Sequence, residues 1–471
     1  MNDLKDPRKT KIIATLGPAT RTVDKVAKLL RAGASVLRLN MSHGTHEWVR
    51  ETTDIVREAA EKCQMPAAIL MDLQGPSIRT GDLEKPLKLS KGDRVEFRVE
   101  GREPTLENST TVNYNDLMSD VRPGNDMIVD NGLLHLRIEE VSEGALIGSV
   151  LTPGTLGSRR HINLPGVRLN LPAMTEKDRE DAGLAAELQL DFIAVSFVRD
   201  VAHVDEVRAF LAERSHAPRI VAKIEDQEAV RNLNGIIQSS DAVMVARGDL
   251  GIEIHLEELP IIQRRIVKKC HVIGRPVIVA THMLESMTEA PSPTRAEVTD
   301  VANAVYEEVD AIMLSGETST GRYPVECVEV LDRIARRTEL SGGAGYAEQA
   351  LLSDEKQLTC KSAVVLANSL DNARILVFTR RGVMAGYVAH LRPEASIYAF
   401  AQDPRVCRSL ALTRGVTPVR FDMRSDPQET IENAMTYLKA KGAVEPGDRL
   451  VIVSDLFTQD GSSEAILLWR V

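Results

Sequence analysis

The sequence predicts an α/β protein built on a closed (β/α)8 barrel, with a small β-barrel domain inserted in it and a separate α/β domain at the C-terminal end. Three observations predict this. Eight short apolar runs alternate with amphipathic helical stretches. Between residues 76 and 172 that alternation gives way to closely spaced short strand patterns. Beyond residue 343, after the polar, glycine-rich SGGAGYAE, the alternation starts again.

The eight runs are KIIATLG (11–17), SVLRLN (35–40), AAILMD (67–72), FIAVSF (192–197), RIVAKIE (219–225), AVMVAR (242–247), VIVATH (277–282) and AIMLSG (311–316). TVDKVAKLLRAGA spaces Val23, Val26, Leu29 and Leu30 at helical intervals and offers Gly33 as a stop. Thr175 and Asp178 form a capping-box pattern at another helix start. Eight such units fit a (β/α)8, or TIM, barrel better than a doubly wound sheet. The barrel then comprises residues 1–75 and 173–343. In the insert, VEFRVE, DMIVD, LHLRIEEV and ALIGSVL are separated by turn signals, and its position after the third barrel strand makes it a lid over the C-terminal mouth. Residues 344–471 contribute AVVLANSL, ARILVFTRRG, ASIYAFAQ, PVRFD and RLVIVSD as strand candidates.

Composition narrows the function. Aromatics are only 4% of the chain, so the core rests on Val, Ile, Leu and Ala, as buried parallel strands require. A formal charge of −10 excludes a global basic field for nucleic acid, so an anionic ligand needs a local cluster. Cys63, Cys270, Cys327, Cys360 and Cys407 are scattered without a C-x-x-C pair, which argues for a reducing compartment and against a zinc site. The N-terminal stretch has no apolar signal region and no run is long enough to span a membrane, so a cytoplasmic protein is expected.

Chemistry concentrates at the strand ends. The second run closes on Arg38, Asn40 and Ser42, followed by His43; strand alternation would turn 38, 40 and 42 to one side, where they suit phosphate oxygens. The fifth closes on Lys223 and Glu225, and the sixth leads into Arg247, Gly248 and Asp249. Two carboxylates beside a lysine form a hard-cation site next to a positive charge, or else a structural ion network in the barrel mouth. RGDLG reads as the opening of a helix, whose free N–H groups suit a carboxylate. Thr281 with His282, and Ser315 with Glu317, end the last two runs and offer hydroxyls for substrate or for a proton relay. His43 and His282 lack the partners of a catalytic triad, and no phosphate loop of the G-x-x-x-x-G-K-[ST] or G-x-G-x-x-G kind follows a strand.

RLNMSHG, GPSIRTG, AKIEDQEAV, VARGDLGIEI, ATHMLESM and MLSGETSTGRYP closely resemble, in order and spacing, the motifs of pyruvate kinases, and the resemblance covers essentially the whole chain. It implies an Mg2+-dependent transfer (Mn2+ as a substitute) between phosphoenolpyruvate and ADP, giving pyruvate and ATP, usually in a homotetramer. Glu225 and Asp249 match the divalent-metal ligands. Lys223 and Arg38 match residues at the transferred phosphoryl group. Gly248, Asp249 and Thr281 match the substrate-carboxylate site. Thr281, Ser315 and Glu317 match a water-linked route that protonates the enolate. Asn40, His43 and Arg79 match residues at the nucleotide phosphates, with Trp48 beside the base. The resemblance also names the parts: a catalytic barrel, a mobile lid and a regulatory C-terminal domain.

Three departures limit the transfer. Asn40, Ser42, Asp72 and the Leu73 carbonyl match a K+ site, yet Ser77 in DLQGPS stands where the family carries Glu or Lys, so K+ dependence stays open. Thr379-Arg-Arg-Gly-Val-Met384 replaces a hydroxyl-rich effector loop, with Arg381 and Met384 at two hydroxyl positions. The run from Ser454 to Gly461 lacks the usual glycine pattern, so the sugar-bisphosphate site is expected to be altered. Two other functions compete: an Mg2+-enolate barrel acting on carbon–carbon bonds, and a silent sensor. The Arg38, Asn40 and Ser42 cluster opposes the first, and the intact set Lys223, Glu225, Asp249 and Thr281 opposes the second.

Overall fold

The eight apolar runs close into one parallel barrel in the computed structural model, which describes residues 5–130, 132–454 and 465–471. The strands are β1 (Lys11–Thr15), β2 (Val36–Asn40), β3 (Ala68–Asp72), β4 (Phe192–Val195), β5 (Arg219–Ile224), β6 (Ala242–Ala246), β7 (Val277–Ala280) and β8 (Ala311–Leu314). Pairing of Lys11 with Ala311 closes the ring between β1 and β8.

Alternation along each strand explains both the core and the site. Ile12, Ala14, Leu37 and Leu39 face the surrounding helices, while Ile13, Val36, Ala68, Leu70, Val221, Met244 and Ile278 fill the barrel interior. Two residues further on, the inward row turns polar: Arg38 after Val36, Asp72 after Leu70, Lys223 after Val221. The interior is therefore apolar below and charged at its C-terminal mouth. Ala411 and Leu412, from the C-terminal domain, join the same interior cluster at the other end.

The helices start and stop where their caps dictate. Thr22 caps Val23–Ala32, which ends at Gly33 with φ 122°. Thr175 and Asp178 form the expected capping box at Glu176–Glu187. Asp178 has a second task, accepting the Gly75 N–H at 3.1 Å where the chain leaves the barrel for the insert. Gly75 has φ 73°, and a Cβ there would lie 2.6 Å from Ser196 Cβ, so no side chain fits.

In the insert, a six-stranded sheet and a two-stranded ribbon share a core that includes Leu89, Phe97, Leu136 and Leu156. The sheet and ribbon also contain the short strands Leu87–Leu89, Ser109–Val112, Gly154–Leu156 and Ile162–Asn163, which are too short to show a pattern in the sequence.

The C-terminal domain is a five-stranded sheet ordered Val416–Arg420, Ser396–Ala401, Ala373–Phe378, Arg449–Ser454 and Ala465–Arg470, the last antiparallel. One expectation fails here. AVVLANSL lies in the helix Glu355–Asn368 rather than in a strand. Cys360, Ala363, Val364 and Ala367 recur at helical intervals and bury one face, which a short apolar run does not reveal. The altered segment after Ser454 falls outside the described residues. No helix among the described residues is long and apolar enough to cross a membrane.

Candidate active site

The mouth of the barrel gathers four of the expected residues into direct contact. Lys223 Nζ lies 2.9 Å from Glu225 Oε1 and 3.2 Å from Asp72 Oδ1, and donates to Ser196 Oγ at 2.7 Å. Arg38 reaches Asp72 Oδ2 with both Nε and Nη2 at 2.7 Å and donates Nη1 to Thr15 Oγ1 at 3.1 Å. The inward rows of β2, β3 and β5 thus meet at the mouth.

The electrostatics are uneven. Lys223 and Arg38 hold Asp72 below the usual carboxylate range despite its burial. Lys223 is pushed up: burial opposes its charge, but Asp72, Glu225 and Asp249 together outweigh that. Burial pushes Glu225 up to about 7, with the nearby Asp249 charge adding to it and Lys223 opposing it. Glu225 Oε2 accepts the Phe197 N–H at 2.7 Å, while Oε1 touches the ammonium without a hydrogen bond of good geometry. A carboxyl that burial disfavours, beside a second carboxylate, is where a further cation gains most.

Asp249 sits in the first turn of the short helix Arg247–Glu253, directly after β6. The Gly248 N–H points at Thr281 Oγ1, 2.8 Å away. Thr281 and His282 both hold left-handed conformations, φ 68° and 55°, which a β-branched residue adopts only under constraint. Arg247 supplies that constraint. Its buried guanidinium donates to the carbonyls of Ala280 (3.2 Å) and Thr281 (2.6 Å) and is anchored by Asp300 at 2.7 Å. On the other side of β7, Glu317 accepts the N–H groups of Ser315 (2.7 Å) and Leu284 (3.1 Å), and burial pushes its pKa up. Ser315 Oγ is buried without a partner.

The remaining residues are placed differently from expectation. β2 ends at Asn40, so alternation does not carry Ser42 to the side of Arg38. Instead Asn40 Oδ1 accepts the Ser42 N–H at 3.1 Å, its carbonyl accepts those of His43 and Gly44, and the Ser42 and His43 side chains are exposed. Trp48 is half-buried on the following helix and covers Gly44. Arg79 stands at the base of the insert, where it donates to Ser77 Oγ (3.1 Å) and the Arg159 carbonyl (3.2 Å). The Leu73 carbonyl accepts the Ser196 hydroxyl at 2.8 Å.

Other contributors have roles that the sequence pattern does not mark. Ser196 directly follows strand β4 as Ser315 directly follows β8, a parallel that could have exposed it. Thr15, Arg247 and the Phe197 N–H act through contacts distant in sequence that leave no local signal. The insert supplies His161, whose ring lies 5.8 Å from that of Phe197, and Asn163, which donates to Glu253 at 2.9 Å.

Comparison with known proteins follows the same lines. Residues 7–328 match the family "Pyruvate kinase, barrel domain" and residues 357–467 match "Pyruvate kinase, alpha/beta domain". A pyruvate kinase of Geobacillus stearothermophilus is 41% identical over 95% of this chain and 77% of its own. Plastidial pyruvate kinase 2 of Arabidopsis thaliana is 40% identical over 95% of this chain and 78% of its own. A crystal structure of a pyruvate kinase from Cryptosporidium parvum superposes with a TM-score of 0.93 at 34% identity, covering 98% of this chain and 96% of that one.

Proposed function

This chain belongs to the pyruvate kinase family, and on that premise we propose which of its residues perform the family's reaction. The reaction moves the phosphoryl group of phosphoenolpyruvate to ADP: the bond from phosphorus to the enol oxygen breaks, a bond to the terminal phosphate oxygen of ADP forms, and the enolate takes up a proton to give pyruvate.

Glu225 and Asp249 fit a divalent cation, Mg2+ or Mn2+. Both offer hard oxygens, and burial and the nearby Asp249 charge both push the Glu225 carboxyl up, which a bound cation would offset. No group of three or more His, Cys, Asp or Glu side chains suited to a metal occurs among the described residues, which fits a cation completed by substrate and water rather than a protein cage. When bound, such a cation offsets negative charge on substrate oxygens.

The protein's own residues do the rest. Gly248 and Asp249 N–H groups with Thr281 Oγ1 hold the substrate carboxylate, which takes over the donor that Gly248 now gives to Thr281. Lys223, kept charged by its carboxylates, faces the phosphoryl group in transit and the enol oxygen it leaves. Arg38 is oriented by Asp72 and Thr15 toward the same group. Thr281, the unpartnered Ser315 hydroxyl and Glu317 carry the proton through water to the enolate carbon. Asn40, His43, Arg79 and Trp48 serve the nucleotide as the insert closes over the mouth.

Of the groups matched to K+, Asn40 Oδ1 accepts the Ser42 N–H, the Leu73 carbonyl accepts the Ser196 hydroxyl and Asp72 pairs with Arg38 and Lys223, while the Ser42 side chain is exposed. No step is routed through that ion. Exposed apolar side chains such as Leu256 and Ile261 support a subunit interface, and light scattering, reading one or four masses of 51.8 kDa, tests the homotetramer.

The observation that carries the assignment is the Lys223 ammonium set between Asp72 and Glu225 at the mouth. The test is pyruvate formation from phosphoenolpyruvate, ADP and Mg2+, with and without K+. Lys223→Met should lower kcat by about a thousandfold or more while far-UV circular dichroism stays unchanged. Wild-type turnover in that variant would sink the assignment.

A further inference from the structure

Where the chain returns from the insert to the barrel, it makes a contact that the phosphoryl-transfer chemistry does not use. Ile162 and Leu164 are buried in the insert's own core, so strand alternation turns Asn163 the other way, onto the barrel. There it donates Nδ2 to Glu253 Oε1 at 2.9 Å. Asn163 is only 3% exposed, yet its amide oxygen has no partner. A buried amide oxygen is costly to leave unpaired, and a carboxylate, which only accepts, offers it nothing.

The surroundings of Glu253 disfavour its charge. It is the last residue of the helix Arg247–Glu253, at the end where free backbone carbonyls gather, and Asp249 lies one turn earlier. With Asn163 it lines a cavity of about 230 Å³ between insert and barrel. Arg199 and Asp226 line the same cavity, but they pair with each other at 3.2 Å. On the flanking helix Gln227–Arg231, Glu228 faces Arg168 at 3.4 Å and Arg231 donates to Gln227 at 3.3 Å. From the insert, His161 brings no charge at neutral pH, since burial pushes its ring below the ordinary value. No cation of the described residues stands within ion-pair distance of Glu253. Burial accordingly pushes the Glu253 carboxyl up to about 7, with Asp226 and Asp249 adding to it and Asn163 and Arg199 opposing it.

We propose that Glu253 is a positioning residue that works as a neutral acid, accepting an N–H of Asn163 and donating its own O–H to the Asn163 amide oxygen. The proton comes from solvent, and both polar atoms of the amide are then satisfied. This two-point pair ties the insert to the helix that bears Gly248 and Asp249, and so sets where that helix meets the substrate carboxylate. The inference rests on the assignment of that helix to the substrate.

Substitutions in the full chain test it. Glu253→Gln keeps one donor and one acceptor for Asn163, so KM for phosphoenolpyruvate should stay within about twofold of wild type. Glu253→Leu and Asn163→Leu each remove both points, so KM should rise about tenfold while kcat falls less than about threefold. The double variant should be no worse than either single one. Infrared spectra at about pH 6 should show a protonated-carboxyl band in wild type that is lost in Glu253→Gln. A KM raised as far by Gln as by Leu would mean that Glu253 works charged, and would overturn the proposal. Wild-type KM in both Leu variants, or an unchanged infrared band in Glu253→Gln, would overturn it too. If the wild-type chain forms no pyruvate, the functional reading fails on its own, and the infrared comparison alone still decides the pair.

Discussion

The two ends of the barrel compensate their buried carboxylates unequally. At the floor, opposite the mouth, Asp310 and Asp191 each have a guanidinium from the C-terminal domain. Asp310 is clasped by Arg392 and also accepts the N–H of Val277, and Asp191 pairs with Arg408 at 2.7 Å while accepting the N–H of Ile69. Asp310 is accordingly held below the usual carboxylate range. At the mouth Asp72 pairs with Arg38 but shares Lys223 with Glu225, Glu225 is pushed up to about 7, and Thr281, His282 and Phe197 are all left-handed. Strain of this kind costs about 1–3 kcal/mol per residue. The difference separates a surface built to hold two domains together from one left short of positive charge for a substrate and a cation to complete.

Two substitutions should pull these roles apart. The larger effect is expected at the mouth. Glu225→Gln keeps the Phe197 contact but removes a cation ligand, so kcat/KM should fall about a thousandfold and the Mg2+ needed should rise at least about tenfold. Its thermal midpoint should hold or increase, because a carboxyl that burial disfavours is gone. A Mg2+ titration of turnover with a melting curve reads both.

At the floor, Arg392→Met strands Asp310, and removing one partner of a buried pair costs about 3–5 kcal/mol. Turnover of the folded fraction should stay within about threefold, since nothing at the mouth moves. The pH dependence has a definite sign. Asp310 has a lowered folded pKa, so its contribution is complete above the unfolded value of about 3.9 and is lost as pH falls through the folded one. Urea midpoints of wild type and variant should therefore differ most at neutral pH and converge in acid. Collapsed activity with unchanged stability would erase the distinction between the two ends.

The barrel itself was legible because each strand is buried on both sides and reads as an uninterrupted apolar run. Lys223, Glu225 and Asp249 were legible because a charge at the end of such a run has few structural uses. AVVLANSL was misread because a short apolar run looks alike on a helix and in a strand, and Ser42 because alternation was extended past the point where Asn40 turns the chain. Arg247 was seen only as the opening of RGDLG. Its task depends on the Ala280 and Thr281 carbonyls, more than thirty residues away, and no local pattern encodes that.

Arg247 therefore sharpens the comparison at the mouth. If its guanidinium keeps Thr281 left-handed, Arg247→Met should let the Thr281 hydroxyl drift from Gly248. We expect KM for phosphoenolpyruvate to rise about 10–100-fold with a smaller loss in kcat, because carboxylate binding suffers before phosphoryl transfer does. A residue needed only for folding would instead lower the melting midpoint and leave KM unchanged.

The smallest effect should come from Lys11, which sits beside the floor and is 8% exposed. Its ammonium donates to the Val416 carbonyl at 2.6 Å, but burial pushes its pKa down to about 7. The unfolded chain holds that proton up to about pH 10.4, so between 7 and 10.4 unfolding takes up a proton and stability rises with pH. Below about 7 both states are charged and the full cost of the buried ammonium persists. Lys11→Met removes the cost, so its thermal midpoint at pH 7 should be higher by about 2–4 °C, with turnover unchanged. The gap should close as the pH is raised toward 10. A gap that widens instead would mean that the Val416 contact outweighs the burial, and that the floor gains from this charge as it gains from Arg392.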